Sequence, residues 1–459
     1  MRQVRRARAV GVNCLGRIMT IKSFSGIALG AVLLAAPAMA QSSGSGSWLG
    51  SLRASAPGQG AAQSVAARNQ DPSLVTFDTR SAEWSDRFDP SSQTLSFTFD
   101  SRQPTLSALT ADNIQRSIDV YMGIAARGGW GAVPGGQVLR VGLSHANVAA
   151  LRQRLIASGD LAASAGVSNT FDTYVEAAVR RFQSRHGLVP DGLVHEQTLV
   201  ELNVPVEVRI EQLRTNLVRV RSMSGDLGDR YVMVNIPAAE VEAVESGAVA
   251  SRHTAVVGRE DRQSPLLAKK VQYVSFNPFW TVPKSIIQKD IIPKMREDPT
   301  YLERYKIRIF TWQGQEIDPA NVDWNSNEAV DYMLKQDPGD QNSLGSIRIN
   351  FPNEHAVYLH DTPQQTLFGQ NARFHSSGCV RVQNVRQLVD WLLQPNGDWS
   401  RAKIDTVVRS GETIDVNLKR HTPIYFAYIT AWSTSDGIVH FRPDIYNRDG
   451  QGVPLASNI

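Results

Sequence analysis

The sequence predicts a multidomain α+β protein: a mostly-β domain carrying a helical insertion fills the C-terminal half, after a three-helix module and an N-terminal scaffold region. Three observations predict it. Before residue 224, apolar residues recur at i, i+3, i+4 and i+7, the spacing of one helix face. From Tyr231 onward the pattern becomes short alternating runs separated by Pro, Gly and Asn, which is how strands are punctuated. One stretch, 284–338, returns to helical spacing between two such runs. At 459 residues the chain has room for two or three domains.

Residues 1–40 hold Arg2, Arg5, Arg6, Arg8, Arg17 and Lys22 and no acid, then the apolar run Ile27–Ala36 and Ala38-Met39-Ala40. A basic segment, a short apolar segment and an A-x-A site predict a cleaved export signal peptide and a periplasmic protein with no stable membrane anchor. The run is too short to span a bilayer; an uncleaved anchor is the alternative, and Met19 is an alternative start. The full chain has 48 basic and 44 acidic residues, for a net charge of +4. The leader takes six of the basic ones, leaving 42 against 44. That balance argues against a nucleic-acid partner.

Residues 41–71, rich in Ser, Gly, Ala and Gln, read as a flexible linker. The scaffold region, 72–143, contains the alternating run Thr94–Phe99 and a helix marked by Ile114, Ile118, Tyr121 and Met122, ended by Gly128-Gly129. Residues 144–204 form a compact helical unit. Val148, Leu151 and Leu155 mark one helix, and Val175, Ala178, Val179 and Phe182 mark a second that His186-Gly187 ends. Pro190-Asp191-Gly192 is a turn, and Thr198–Leu202 starts a third helix. Leu151-Arg152-Gln153-Arg154-Leu155, Gly159-Asp160-Leu161, Ala178-Val179-Arg180-Arg181-Phe182-Gln183, His186-Gly187-Leu188 and Asp191-Gly192 resemble the peptidoglycan-binding domain 1 family. The resemblance implies a module that docks on cell-wall glycan or stem peptide; a helical spacer without binding is the alternative.

Residues 205–229 predict a connecting helix (Val206, Ile210, Leu213, Leu217, Val220). The β domain spans 230–420, with strands expected at Tyr231–Ile236, Thr254–Val257, Val271–Phe276, Ser346–Phe351, Ala356–His360, Cys379–Val382 and Thr413–Val416. Residues 421–459 are expected to add further strands, from Ile424–Thr430, packed on that domain. The insertion 284–338 reads as helix-rich, and its size beside a strand-borne site suggests a lid.

Of the two cysteines, Cys14 lies in the leader and Cys379 in Phe374-His375-Ser376-Ser377-Gly378-Cys379-Val380-Arg381-Val382. An exported protein normally pairs its cysteines or lacks them, so a single retained thiol points to nucleophilic chemistry. A thiol attacks as thiolate, and a nearby imidazole can take its proton. His360, at a strand end on the same face as Tyr358, is one candidate base, and His375, four residues from the thiol, is another. Gly378 permits a tight turn whose Gly378 and Cys379 backbone N–H groups can hold an oxyanion. Asn384 and Gln387 fit a capping box for a following helix with Val385, Leu388, Val389 and Leu392 on one face. Trp280 is read as substrate wall or core, and Arg381 as carboxylate ligand or surface ion-pair residue. His355, His360, His375 and Cys379 match no closed zinc spacing, so no metal is expected.

Tyr358-Leu359-His360-Asp361-Thr362-Pro363 and Ser376-Ser377-Gly378-Cys379-Val380-Arg381-Val382, nineteen positions apart from His360 to Cys379, resemble the L,D-transpeptidase (YkuD-type) family in its long Gram-negative branch. Val234-Asn235-Ile236-Pro237, Asn277-Pro278-Phe279-Trp280 and Tyr428-Ile429-Thr430-Ala431 support it, and the resemblance covers roughly 100–450. Many members carry His where Ser377 stands here, so that histidine's role does not transfer. The resemblance implies that Cys379 attacks the bond between meso-diaminopimelate and the terminal D-Ala of a tetrapeptide stem. D-Ala leaves, and a second stem's amine resolves the thioester into a 3→3 cross-link. It implies His360 as base, Gly378 and Cys379 as oxyanion donors, a pocket of Tyr358, Ser376, Ser377 and Arg381, no cofactor, and acylation by carbapenems. An L,D-carboxypeptidase, a lipoprotein-attaching enzyme and a non-catalytic wall-binding protein are the alternatives.

Overall fold

The computed structural model describes residues 102–450, apart from positions 224 and 226. The expected leader, linker and Thr94–Phe99 strand lie outside the described residues, as does the scaffold region before 102. Five helices come first: α1 Thr110–Ala126, α2 Ala146–Ala157, α3 Thr173–Arg185, α4 Glu196–Leu202 and α5 Val206–Met223. Ile114, Ile118 and Tyr121 of α1 are buried, but Met122 is 46% exposed and stands off the stripe. The stripe residues of α2 and α3 close the module's own core with Phe171 and Leu202. Asp172 caps α3 by accepting from Val175 N at 3.0 Å, and Gly187 beyond its end takes φ +72°.

The strands begin with β1 Arg230–Asn235, β2 Glu240–Glu245, β3 Ala248–Gly258 and β4 Leu267–Phe276. β5 Trp280–Thr281 comes just before the insertion, which carries β6 Ile307–Phe310, β7 Glu316–Ile317 and β8 Met333–Gln336. Then follow β9 Ile347–Asn350, β10 Leu359–His360, β11 Phe374–Ser376, β12 Val380–Val382, β13 Ile414–Ala427, β14 Ala431–Ser433 and β15 Val439–Phe441. The main sheet runs β11-β3-β12-β10-β9-β4-β13-β1-β2, and β2 pairs back onto β3, so eight of its strands form a closed ring. Helix α6, Val385–Leu393, plugs the apolar face with Val385, Leu388, Val389 and Leu392, each burial worth roughly 1.5–3 kcal/mol. Helix α7, Arg401–Ser410, follows it. A second core holds α1 and α5 against the outer face of β1 through Tyr231 and Met233, and against β14–β15 through Trp432 and Phe441. So α5 is a packed element of the domain rather than a bare connector.

The structure differs from expectation in five places. The insertion is helix-rich as expected but also carries strands: a helical run over 284–297 and a short helix Tyr301–Arg304 pack on a four-stranded sheet, β5-β8-β6-β7, with its own core. The strand expected at Ala356–His360 shrinks to β10, because Asn353 ties His355 N, Val357 N and Val357 O into a turn with Ala356 at φ +52°. Asn384 does not cap α6 with its side chain; it sits in the left-handed region at φ +52°. Thr413–Val416 and Ile424–Thr430 are one strand, β13, with a register shift between Asn417 and Thr422. The 420/421 boundary therefore cuts a continuous element. Strand β2 went unrecognised because its glutamates disfavour strands in isolation; Arg252 on β3 neutralises Glu240 and Glu242 at 3.0 and 2.8 Å.

The helical module is fastened to the sheet domain. Arg185 pairs with Asp160 at 2.6 Å and donates to Val439 O, and Arg442 donates to Arg185 O at 3.0 Å. His186 stacks between Phe182 and Phe441 at 3.8 and 5.5 Å. A Cβ on Gly187 would lie 2.7 Å from Arg442, so glycine is required for that close approach. On another side, Val189 N donates to Asn371 Oδ1 at 2.6 Å, and Asn371 also bonds Gln197. No described helix is long and apolar enough to cross a membrane.

Candidate active site

A cavity of about 450 Å³ opens between the sheet and the insertion. Trp280, Tyr358, His360, Ser376, Ser377, Cys379 and Arg381 all line it; Gly378 lies in the turn beneath. The register explains the convergence. Strand β10 pairs parallel with β12, Leu359 opposite Val380 and His360 opposite Arg381. Leu359, Val380 and Val382 face the core, which turns His360 and Arg381 to the cavity.

The turn that carries Cys379 is braced on itself and from outside. Gly378 has φ +112°, with no close contact at its Cβ position, so conformation rather than space selects glycine. Ser376 Oγ donates to Cys379 O at 2.5 Å and accepts from Gly378 N at 3.2 Å. Ser264 Oγ donates to Gly378 O at 2.8 Å and accepts from Gly258 N at 3.0 Å. Arg262 pairs with Asp290 of the insertion and donates to Ser377 Oγ at 2.9 Å. The Gly378 N–H is engaged by Ser376, whereas the Cys379 N–H has no partner among the described residues and is the donor left for an oxyanion.

Gly258 is the least replaceable residue of this brace. A Cβ there would collide with Arg262 O and lie 2.6 Å from Ser264 N, backbone that cannot swing aside. Gly258→Ala is expected to cost about 1–3 kcal/mol, read as a lower denaturation midpoint. An unchanged midpoint would contradict this packing.

The thiol is half-buried, and loss of solvent pushes its pKa up to about 11. Opposing that shift, Tyr358 offers its backbone N–H and hydroxyl to the thiolate, and Arg381 and Arg348 add positive charge. Trp280 in turn donates to the Tyr358 hydroxyl. Burial and the same two arginines drive His360 down to about 3, so its imidazole is neutral. His360 Nδ1 lies 2.5 Å from Asp361 O. A carbonyl only accepts, so Nδ1 carries the proton and Nε2 keeps its lone pair, without a partner among the described residues. Thiol and imidazole are therefore both neutral, and His360 Nε2 is unengaged among the described residues.

His375 also lines the cavity, but it is exposed and its Nε2 bonds Ala372 O at 2.9 Å, which leaves it outside the thiol's hydrogen bonds. Arg381 has no acidic partner among the described residues; it donates to Gln364 Oε1 at 2.6 Å. Sequence reasoning missed Arg262, Ser264 and Arg348. Arg348 had a signal: in Ile347-Arg348-Ile349 the alternation alone turns it to the face that carries His360.

Residues 229–439 match the YkuD family, described as "L,D-transpeptidase catalytic domain", and 144–202 match a family described as "Putative peptidoglycan binding domain". A Haemophilus influenzae protein named "Putative L,D-transpeptidase" is 36% identical over 221 residues, 48% of this chain. The chain spans 45% of that relative's length. Among solved structures, an L,D-transpeptidase from Xylanimonas cellulosilytica is similar at 16% identity and TM-score 0.22, covering 64% of this chain and 99% of that one. One from Stackebrandtia nassauensis has 12% identity and TM-score 0.24, covering 64% and 96%. Similarity that distant adds no argument to the family match.

Proposed function

From a chain that carries a YkuD-family L,D-transpeptidase catalytic domain at 229–439 and a peptidoglycan-binding domain at 144–202, we propose a periplasmic enzyme that forms 3→3 peptidoglycan cross-links on tetrapeptide stems. One observation carries it: a thiol and an imidazole with a free Nε2 open onto one cavity, beside an unengaged Cys379 N–H. Cys379 Sγ attacks the carbonyl that joins diaminopimelate to D-Ala as His360 Nε2 takes the thiol proton. The Cys379 N–H meets the oxyanion. The proton then passes to the D-Ala nitrogen, the C–N bond breaks, and a thioester remains. A second stem's side-chain amine attacks the thioester, returning the thiol.

Tyr358, Ser376, Ser377, Arg381 and Trp280 shape the donor pocket in this reading, and Arg381 meets a stem carboxylate. The insertion acts as a lid whose pairing through Arg262 and Asp290 reaches the nucleophile turn. Exclusion of water there favours amine over water as acceptor. A carbapenem is expected to acylate the same thiol, since it presents an activated acyl carbon. Periplasmic placement rests on the leader-like composition of residues 1–40.

The test is incubation with purified disaccharide-tetrapeptide. The expected products are free D-Ala, a 3→3 dimer, and an acyl adduct on Cys379 by intact mass. Tripeptide with D-Ala but no dimer would identify a carboxypeptidase. Binding to sacculi with neither product would leave a wall-binding protein.

A further inference from the structure

In the row of residues across the sheet at His360, both neighbouring strands carry a cation, and the acid of that row, Asp415, stands exposed two strands beyond Arg348, across Ser275. Strand β9 pairs antiparallel with β10, setting Arg348 directly beside His360, and β12 sets Arg381 on its other side. Residues in register on neighbouring strands share a face, so His360 and the two arginines lie on one side of the sheet. Arg381 lines the cavity. Arg348 does not: it lies over the Tyr358 ring at 5.6 Å and donates to Ser275 Oγ at 3.4 Å, and its buried Nε has no partner. Neither arginine is within ion-pair distance of a carboxylate among the described residues. A partly buried cation without a counter-ion is costly and is normally paired.

We propose that Arg348 is a positioning residue whose counter-ion is the negative charge the reaction creates at Cys379, and which adds its charge to that of Arg381 beside His360. The inference rests on the reading of Cys379 and His360 as nucleophile and base, and deepens it. Other charged groups near His360 do not replace it. Asp361 is turned into Ser346, which donates to it from N and Oγ at 3.1 and 2.8 Å. From the insertion, Asp290 is spent on Arg262, and Lys294 bonds the Tyr301 hydroxyl at 3.2 Å. His355 pairs with Glu354 at 3.6 Å, and His375 bonds a backbone carbonyl. Asp415, in the same row, is exposed and separated from Arg348 by Ser275. Arg348 and Arg381 are the charges on the two strands next to His360, and Arg348 leaves the cavity clear for substrate.

The experiment measures the pH dependence of Cys379 alkylation by iodoacetamide in wild type, Arg348→Gln and Arg348→Lys, with the His360 titration followed by NMR. Wild-type His360 is expected to stay neutral down to about pH 5. Arg348→Gln is expected to raise the His360 midpoint by about one pH unit and to slow alkylation at pH 7 about ten-fold, a lost unit of thiolate stabilisation. Arg348→Lys is expected to keep both near wild type. A wild-type His360 that titrates in the ordinary histidine range overturns the proposal whether or not the variants fold. So does a folded Gln variant with wild-type profiles, or a Lys variant as impaired as Gln, which would mark a contact rather than a charge. If the profiles shift as expected but tetrapeptide leaves no adduct on Cys379, the proposed function fails while this inference stands.

Discussion

Cys379→Ala is expected to abolish both the acyl adduct and the 3→3 dimer, leaving less than about one ten-thousandth of wild-type turnover, as loss of a covalent nucleophile does. The fold should survive the change. The side chain is half-buried, and shortening it by one sulfur leaves the ladder on either side intact: Val380 N still donates to Tyr358 O at 3.1 Å, and the Ser376–Gly378 turn is closed by backbone and hydroxyl groups. Circular dichroism and binding to sacculi should therefore match wild type while muropeptide analysis shows no dimer. Residual dimer at more than a few per cent would place the nucleophile elsewhere.

His360→Ala is expected to slow acylation of Cys379 by roughly 10²- to 10⁴-fold at pH 7, the usual contribution of a positioned general base. With the thiol near 11 and the imidazole near 3, wild type has a protonated thiol and a neutral base across ordinary pH. The base must take the proton during attack, so the wild-type rate should be nearly flat between about pH 5 and pH 9. The variant has only solvent to ionise the thiol. Its rate should climb about ten-fold per pH unit toward the thiol's own value, closing on wild type in alkaline buffer. Stopped-flow acylation by a carbapenem across that range reads both. A variant that stays slow at high pH would mean that the imidazole holds the pocket in shape and moves no proton.

Much of this site was legible in the chain because local signals coincided. A retained thiol, a glycine before it and a histidine at the end of an apolar alternation named Cys379, Gly378 and His360, and the cavity gathers the pocket residues around them. Alternation also put Tyr358 and His360 on one face. What stayed hidden was set by long-range pairing. Arg348 and His360 are twelve positions apart, and only the β9–β10 register makes them neighbours. Ser264 supports Gly378 across more than a hundred residues. The choice between the Gly378 and Cys379 N–H groups turned on one serine rotamer. The strands in and beside the insertion were missed because β5 and β7 are two residues long and their flanks carry helical spacing.

The Arg185–Asp160–Arg442 lock between the helical module and the sheet domain would, if the module binds the wall, have a mechanical meaning. A catalytic head on a loose tether searches a volume, and its anchor only raises the local concentration of targets. Here anchor and thiol are held like the two jaws of a caliper. A glycan strand gripped by the module would present its stems to Cys379 at one spacing and one angle, so docking energy is converted into orientation. If the proposed function holds, such a tool would select which neighbouring strands in the sacculus are joined by how far apart they lie.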